Sequence, residues 1–112
     1  MMDRRYLAAA TFAGIGAALH LIALALSGFA DNYVASLLGG AIWAVLAVGL
    51  SRGARLFAYL TFLMALFGIS AALGIVMATP SGPAQWAWIS IMVADGLVAF
   101  TLFALLWRAR AT

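Results

Sequence analysis

The sequence predicts an all-α integral membrane protein: a four-helix up-and-down bundle with short loops and both termini on the cytoplasmic side. Three observations carry that prediction. Of the 112 residues, 68% are hydrophobic and only 8% are charged, and the mean hydropathy is +1.16. Soluble domains carry about 25% charged residues, and a soluble chain this short has too much surface to hide so much apolar area. The apolar residues form four long runs separated by breakers, and all six arginines lie on one side of the four crossings those runs would make. A disordered chain is excluded as well, since disorder needs low hydrophobicity and high charge.

The first run covers residues 6–29, after Arg4-Arg5 and before Ala30-Asp31-Asn32. It is longer than the roughly 7–15 residues of a signal-peptide core, and three more apolar runs follow it. It therefore reads as a membrane helix, and Arg4-Arg5 as an anchor at its end rather than a twin-arginine export signal. The second run, 34–50, is the shortest; Asp31-Asn32 supplies a turn and a cap for its start. Ser51-Arg52-Gly53-Ala54-Arg55 separates it from the third run, 56–78, which Thr79-Pro80-Ser81-Gly82-Pro83 ends. The fourth, 84–107, closes at Arg108-Ala109-Arg110. Each run reaches the roughly 17–25 apolar residues that a spanning helix needs. Transmembrane strands would be about 10 residues long with strict alternation, which these runs lack. Short loops make successive helices antiparallel neighbours and set the first beside the fourth, in a single domain over residues 1–112.

Orientation follows from the arginines. Arg4 and Arg5, Arg52 and Arg55, and Arg108 and Arg110 share one face, and the opposite loops carry none. The positive-inside rule puts that face in the cytoplasm of a bacterial inner membrane. Tyr6, Tyr33, Trp86, Trp88 and Trp107 lie near run ends, where an aromatic belt is expected. The net charge of +3 is spread over helix ends rather than a polar stripe, so nucleic acid is excluded as a partner. With no cysteine and one histidine, thiolate chemistry, bis-histidine haem and zinc ligation are excluded; no metal and no cofactor are expected.

Few polar side chains lie deep. Asp95 is near the middle of the fourth run, where a carboxylate costs about 2.5–3.5 kcal/mol on insertion scales. Such residues face the protein interior and mark proton, ion or ligand sites. His20, Ser70 and Trp43 fall within a slab about 5 Å thick around that level, by the helical rise. These four are the candidate intramembrane polar site. His20 belongs to a stripe of Ala13, Gly16, Ala17, Ala23 and Ser27, whose small side chains suit close helix contact. Leu24 is placed on the opposite half. The Asp95 stripe is Trp88, Ile91, Met92, Val98, Ala99 and Leu102; on the third helix Ser70 and Gly74 form a small pair. Neighbouring helices at matching depth put His20 and Asp95 within direct or water-mediated reach, as an ion pair or a neutral hydrogen-bonded pair. A Ser-His-Asp triad with Ser70 would require a geometry that sequence does not supply. Without a catalytic role, His20 and Ser70 read as hydrogen-bonded packing residues.

Three functions fit these features. With almost no mass outside the membrane, the chain reads first as a non-enzymatic accessory subunit or a bundle that binds a lipophilic small ligand. The alternatives are an oligomeric proton-coupled transporter using Asp95 and His20, and a small intramembrane enzyme using them as acid and base on a lipid-soluble substrate. In length and helix count the chain resembles the small multidrug resistance exporters. Their essential carboxylate is a Glu in helix one, whereas here helix one carries His20 and the carboxylate is in helix four, so membership is not assigned. The expected partners are the bilayer, further copies or a larger membrane complex, and a lipophilic small molecule.

Overall fold

A computed structural model describes residues 3–26 and 33–107. Four helices make up the fold: α1 (Arg4–Leu26), α2 (Tyr33–Ser51), α3 (Arg55–Ala78) and α4 (Pro83–Leu106). Leu, Ala and Met fill them, and these are strong helix formers. Among the described residues, α1, α3 and α4 are long and apolar enough to cross a membrane, whereas the apolar stretch of α2, Ser36–Ser51, is shorter. At 1.5 Å per residue α3 and α4 reach about 36 Å each, against about 30 Å of hydrocarbon. The expectation of four equally sufficient spans is thus met by three.

The helix ends differ by a few residues from the apolar runs because polar groups cap them. Asp3 accepts the backbone N–H of Arg5 at 2.9 Å, so α1 starts at Arg4, before its apolar run. At the turn after α2, Gly53 has φ +72°, a conformation costly for any residue with a Cβ, and its N–H bonds Leu50 O at 2.9 Å. Pro83 opens α4 rather than ending α3, since its missing N–H is no loss in a first turn. Gln85 of α4 donates from Nε2 to Val76 O and Thr79 O, at 3.2 and 3.1 Å, and so satisfies carbonyls at the end of α3. The Asp31-Asn32 cap, Ser27, Arg108 and Arg110 lie outside the described residues, as does the side chain of Tyr33.

α1 packs broadly on α2 and on α4, and α4 packs on α3; α2 and α3 meet far less. The small stripe of α1 faces inward as its spacing predicts: Ala13, Gly16, His20 and Ala23 are buried. Leu24 is buried too, 6% exposed, so it does not lie on the outer half. It stands one turn after the buried His20, about 40° round the helix, and so shares its inward face. From α4, Ile91, Asp95, Val98 and Leu102 fill the centre. Two of the expected belt aromatics are interior instead: Tyr6 and Trp88 are buried, whereas Trp86 and Trp107 are exposed.

Close approach falls elsewhere than the small stripes suggest. A Cβ on Gly16 or Gly74 would meet nothing within 4 Å, and Ser70 and Gly74 lie on the outer face of α3. A Cβ on Gly49 would collide with the Phe57 ring, which locks α2 to α3 beside their turn. Gly49→Ala should therefore lower the melting temperature in detergent. Gly74→Ala should raise stability by up to about 1 kcal/mol through helix propensity. Equal melting of the two variants would contradict this packing.

Candidate functional site

Each helix contributes a side chain or a gap to one internal site. In a helix the Cβ leans toward the N-terminus. Because α1 and α4 run antiparallel side by side, His20 and Asp95 lean toward each other along the bundle. Both are nearly inaccessible, at 5% and 2% exposure. They line one cavity of about 140 Å³, together with Trp43 and Gly39 of α2, Gly68 of α3, and Trp88 and Ile91 of α4. The rest of the wall is apolar and comes mostly from α2 and α3: Leu38, Ile42, Met64, Phe67, Ala71, Ala72 and Ile75. Leu38, Phe67 and Ala71 are exposed on their outer sides, so the cavity reaches the surface along the seam where α2 and α3 meet least.

Two glycines make the room. A Cβ on Gly39 would stand 2.6 Å from both Cδ2 and Nε2 of His20; one on Gly68 would stand 2.5 Å from Asp95 Oδ2. No other residue type would let these two side chains occupy these positions unshifted. The same point on Gly68 lies 3.7 Å from Cζ2 of Trp43, so the carboxyl and the indole edge converge there.

His20 is oriented from two sides. Its Nδ1 lies 2.6 Å from Gly16 O. A carbonyl only accepts, so Nδ1 carries the proton and donates. In the neutral ring that leaves Nε2 as an acceptor. The ring meets Trp88 edge-on, with centroids 5.5 Å apart and planes at 85°. Asp95 has no such support. Its Oδ2 is buried without a hydrogen-bond partner among the described residues. Orphaned buried polar atoms are uncommon in folded proteins, and each marks strain, a catalytic or redox role, or an unseen partner. No direct hydrogen bond joins His20 and Asp95: they share a cavity rather than forming a contact.

Of the four predicted residues, the structure thus brings together His20, Asp95 and Trp43. Ser70 is apart from them. It is exposed, and its hydroxyl donates to Leu66 O of its own helix at 3.3 Å, so a Ser-His-Asp arrangement is absent. Its depth matched the others, but its angle on α3 points away. Trp88, Gly39 and Gly68 were missed as members of the site. Trp88 stands on the Asp95 stripe, two turns before it, and that periodicity outweighs its nearness to the run end. The Gly39-Gly40 pair in mid-helix was the available signal for a close approach. Gly68 carried none, since its neighbour Asp95 is on another helix. No group of metal-ligating residues is gathered among the described residues.

No protein-family model matches this chain, and no curated protein or solved structure does so either. The site's chemistry therefore rests on its own residues.

Gly39→Ala tests the geometry. Overpacking should cost about 1–3 kcal/mol and turn the His20 ring off the Trp88 edge. His20 is the chain's single histidine, so its ring-proton resonances are unambiguous. They should move on Gly39→Ala and on Trp88→Phe, and hold on Gly74→Ala. Unmoved resonances in Gly39→Ala would show that Gly39 does not seat the ring.

Proposed function

We propose that the protein is an integral membrane bundle that binds a lipophilic small molecule, admitted sideways between α2 and α3. The observation that carries this reading is the apolar cavity with two buried ionisable side chains at its base, reaching the surface along the least-packed seam. Ligand sites are concave and mostly apolar, with a few convergent polar groups, and sites between bundle helices are common. An apolar mouth facing lipid suits a ligand already dissolved in the bilayer.

Membrane insertion is supported by the outer surface. Leu63, Phe67, Met77 and Phe100 are each more than half exposed, and a water-soluble monomer rarely presents such continuous apolar area. The arginine end also resembles an interface. Arg55 lies over the Tyr59 ring at 5.6 Å, and Tyr59, Phe62, Phe103 and Trp107 cluster beside it. At the same end, Arg5 bonds Asp3 and donates from Nη1 to Ala104 O at 2.8 Å, tying α1 to the last turn of α4. With arginines at this end and none in the opposite loops, both termini are cytoplasmic in this reading, in a bacterial inner membrane. A second reading, an oligomeric proton-coupled carrier, draws on the same unpartnered Asp95 oxygen. Transport by proteoliposomes that Asp95→Asn abolishes would favour it over simple binding.

Two measurements check the proposal. The chain has no cysteine, so single-cysteine variants report without background. In intact cells an impermeant maleimide should label Ser81→Cys and spare Arg52→Cys; labelling of Arg52→Cys from outside would overturn the orientation. Wild-type protein purified in mild detergent should carry a lipophilic small molecule detectable by mass spectrometry. Ala71→Trp plugs the mouth from an exposed position, and it should lose that molecule without a change in melting temperature. Equal retention by the variant, or co-purification of a larger complex with the cavity empty, would favour an accessory-subunit role instead.

A further inference from the structure

With the Asp95 carboxyl ionised, the hydrogen-bonding inventory of the cavity is one-sided. Asp95 Oδ2 is buried and unpartnered, and an ionised carboxyl only accepts. His20 commits its Nδ1 proton to Gly16 O, so the neutral ring presents an acceptor, Nε2, beside Gly39 of the cavity wall. Trp43 and Trp88 add broad apolar wall beside the carboxyl. No arginine or lysine stands among the described residues that line the cavity.

These features discriminate between ligand classes. A purely apolar ligand would leave Oδ2 without a partner, at the full penalty of an unsatisfied buried group. An acid would set a second carboxyl against the first, and like charges in one apolar site oppose each other. A neutral donor such as an alcohol satisfies the oxygen but supplies no counter-charge. A basic nitrogen does both: its N–H groups satisfy the acceptors, and its charge offsets that of the carboxylate. Size sets the rest. Cavities of about 150 Å³ lined by apolar side chains hold benzene, and this one measures about 140 Å³.

On the reading that the cavity holds a ligand, we propose that the ligand is a lipophilic amine: a ring of about benzene size beside Trp43 and Trp88, with its ammonium group on the Asp95 carboxyl. The ion pair forms whichever side brings the proton. An amine entering neutral takes it from a protonated Asp95, and one entering as ammonium meets the carboxylate. Longer substituents leave through the seam between α2 and α3 into lipid. Gly68 is the specificity element, because the absence of its Cβ leaves Oδ2 where the ammonium meets it.

The test uses three probes of one shape: benzylamine, benzyl alcohol and toluene. Each is titrated into the full chain in detergent, with Trp86→Phe and Trp107→Phe leaving Trp43 and Trp88 as fluorescent reporters. Benzylamine should bind about ten-fold or more tighter than benzyl alcohol, the difference a charge-assisted bond makes. Asp95→Asn should erase that preference while toluene still binds. Gly68→Ala, which keeps the carboxyl but displaces it, should do the same and guards against misfolding of the first variant. If toluene or benzyl alcohol binds as tightly as benzylamine, the amine assignment is overturned and the lipophilic cavity stands. If none of the three perturbs either tryptophan, both fall together.

Discussion

An aspartate carboxyl and an imidazole share one apolar interior here because two side chains are missing opposite them. Burying polar groups in such surroundings is costly, and a crowded interior would not accommodate them at any cost. Gly39 gives its space to the His20 ring and Gly68 gives its space to Asp95 Oδ2. The cavity, the convergence of Trp43 on the same point and the edge contact between His20 and Trp88 all follow from those two absences.

How the helix pairs are fastened explains why the cavity opens where it does. α1 and α4 are joined by broad packing and by Arg5 donating to Ala104 O. α3 and α4 are joined through Gln85, which completes the carbonyls at the end of α3. α2 and α3 have the Gly49–Phe57 contact beside their turn and little beyond it. A seam held at one end is the least costly place for the bundle to part, since local opening follows local contact density. The polar base of the cavity stands behind that seam, on the two helices that do not form it. The cavity is therefore divided between helix pairs: α2 and α3 form its least-packed side, and α1 and α4 hold the ionisable groups.

Within the site, legibility varied with the kind of information each residue needed. Asp95 and His20 could be found from sequence because a titratable group in an apolar run is conspicuous at any angle. Depth along the helix was equally readable, since 1.5 Å per residue is a constant of the helix. Ser70 shows the limit of that approach. It matched in depth but pointed outward, because depth does not fix rotation about the helix axis. Gly16 shows another limit. Its place on a small stripe suggested close backbone contact, yet a Cβ there meets nothing; its role is to offer its carbonyl to His20.

The amino-acid sequence by itself determined the four helices, the pairing of α1 with α4 and the inward turn of the small stripe of α1. These depend on composition, on short-range caps and on the helical period, all of which are local. Only the tertiary structure decided that Trp88 and Tyr6 turn inward rather than join a belt, and that Gly68 stands opposite Asp95. It alone decided that Asp95 and His20 share a cavity without bonding, and that α2 and α3 meet little beyond their turn. Each of these depends on how far one helix is rotated and how closely it approaches another. Those quantities are set by the packing of all four helices at once, and no single helix's pattern contains them.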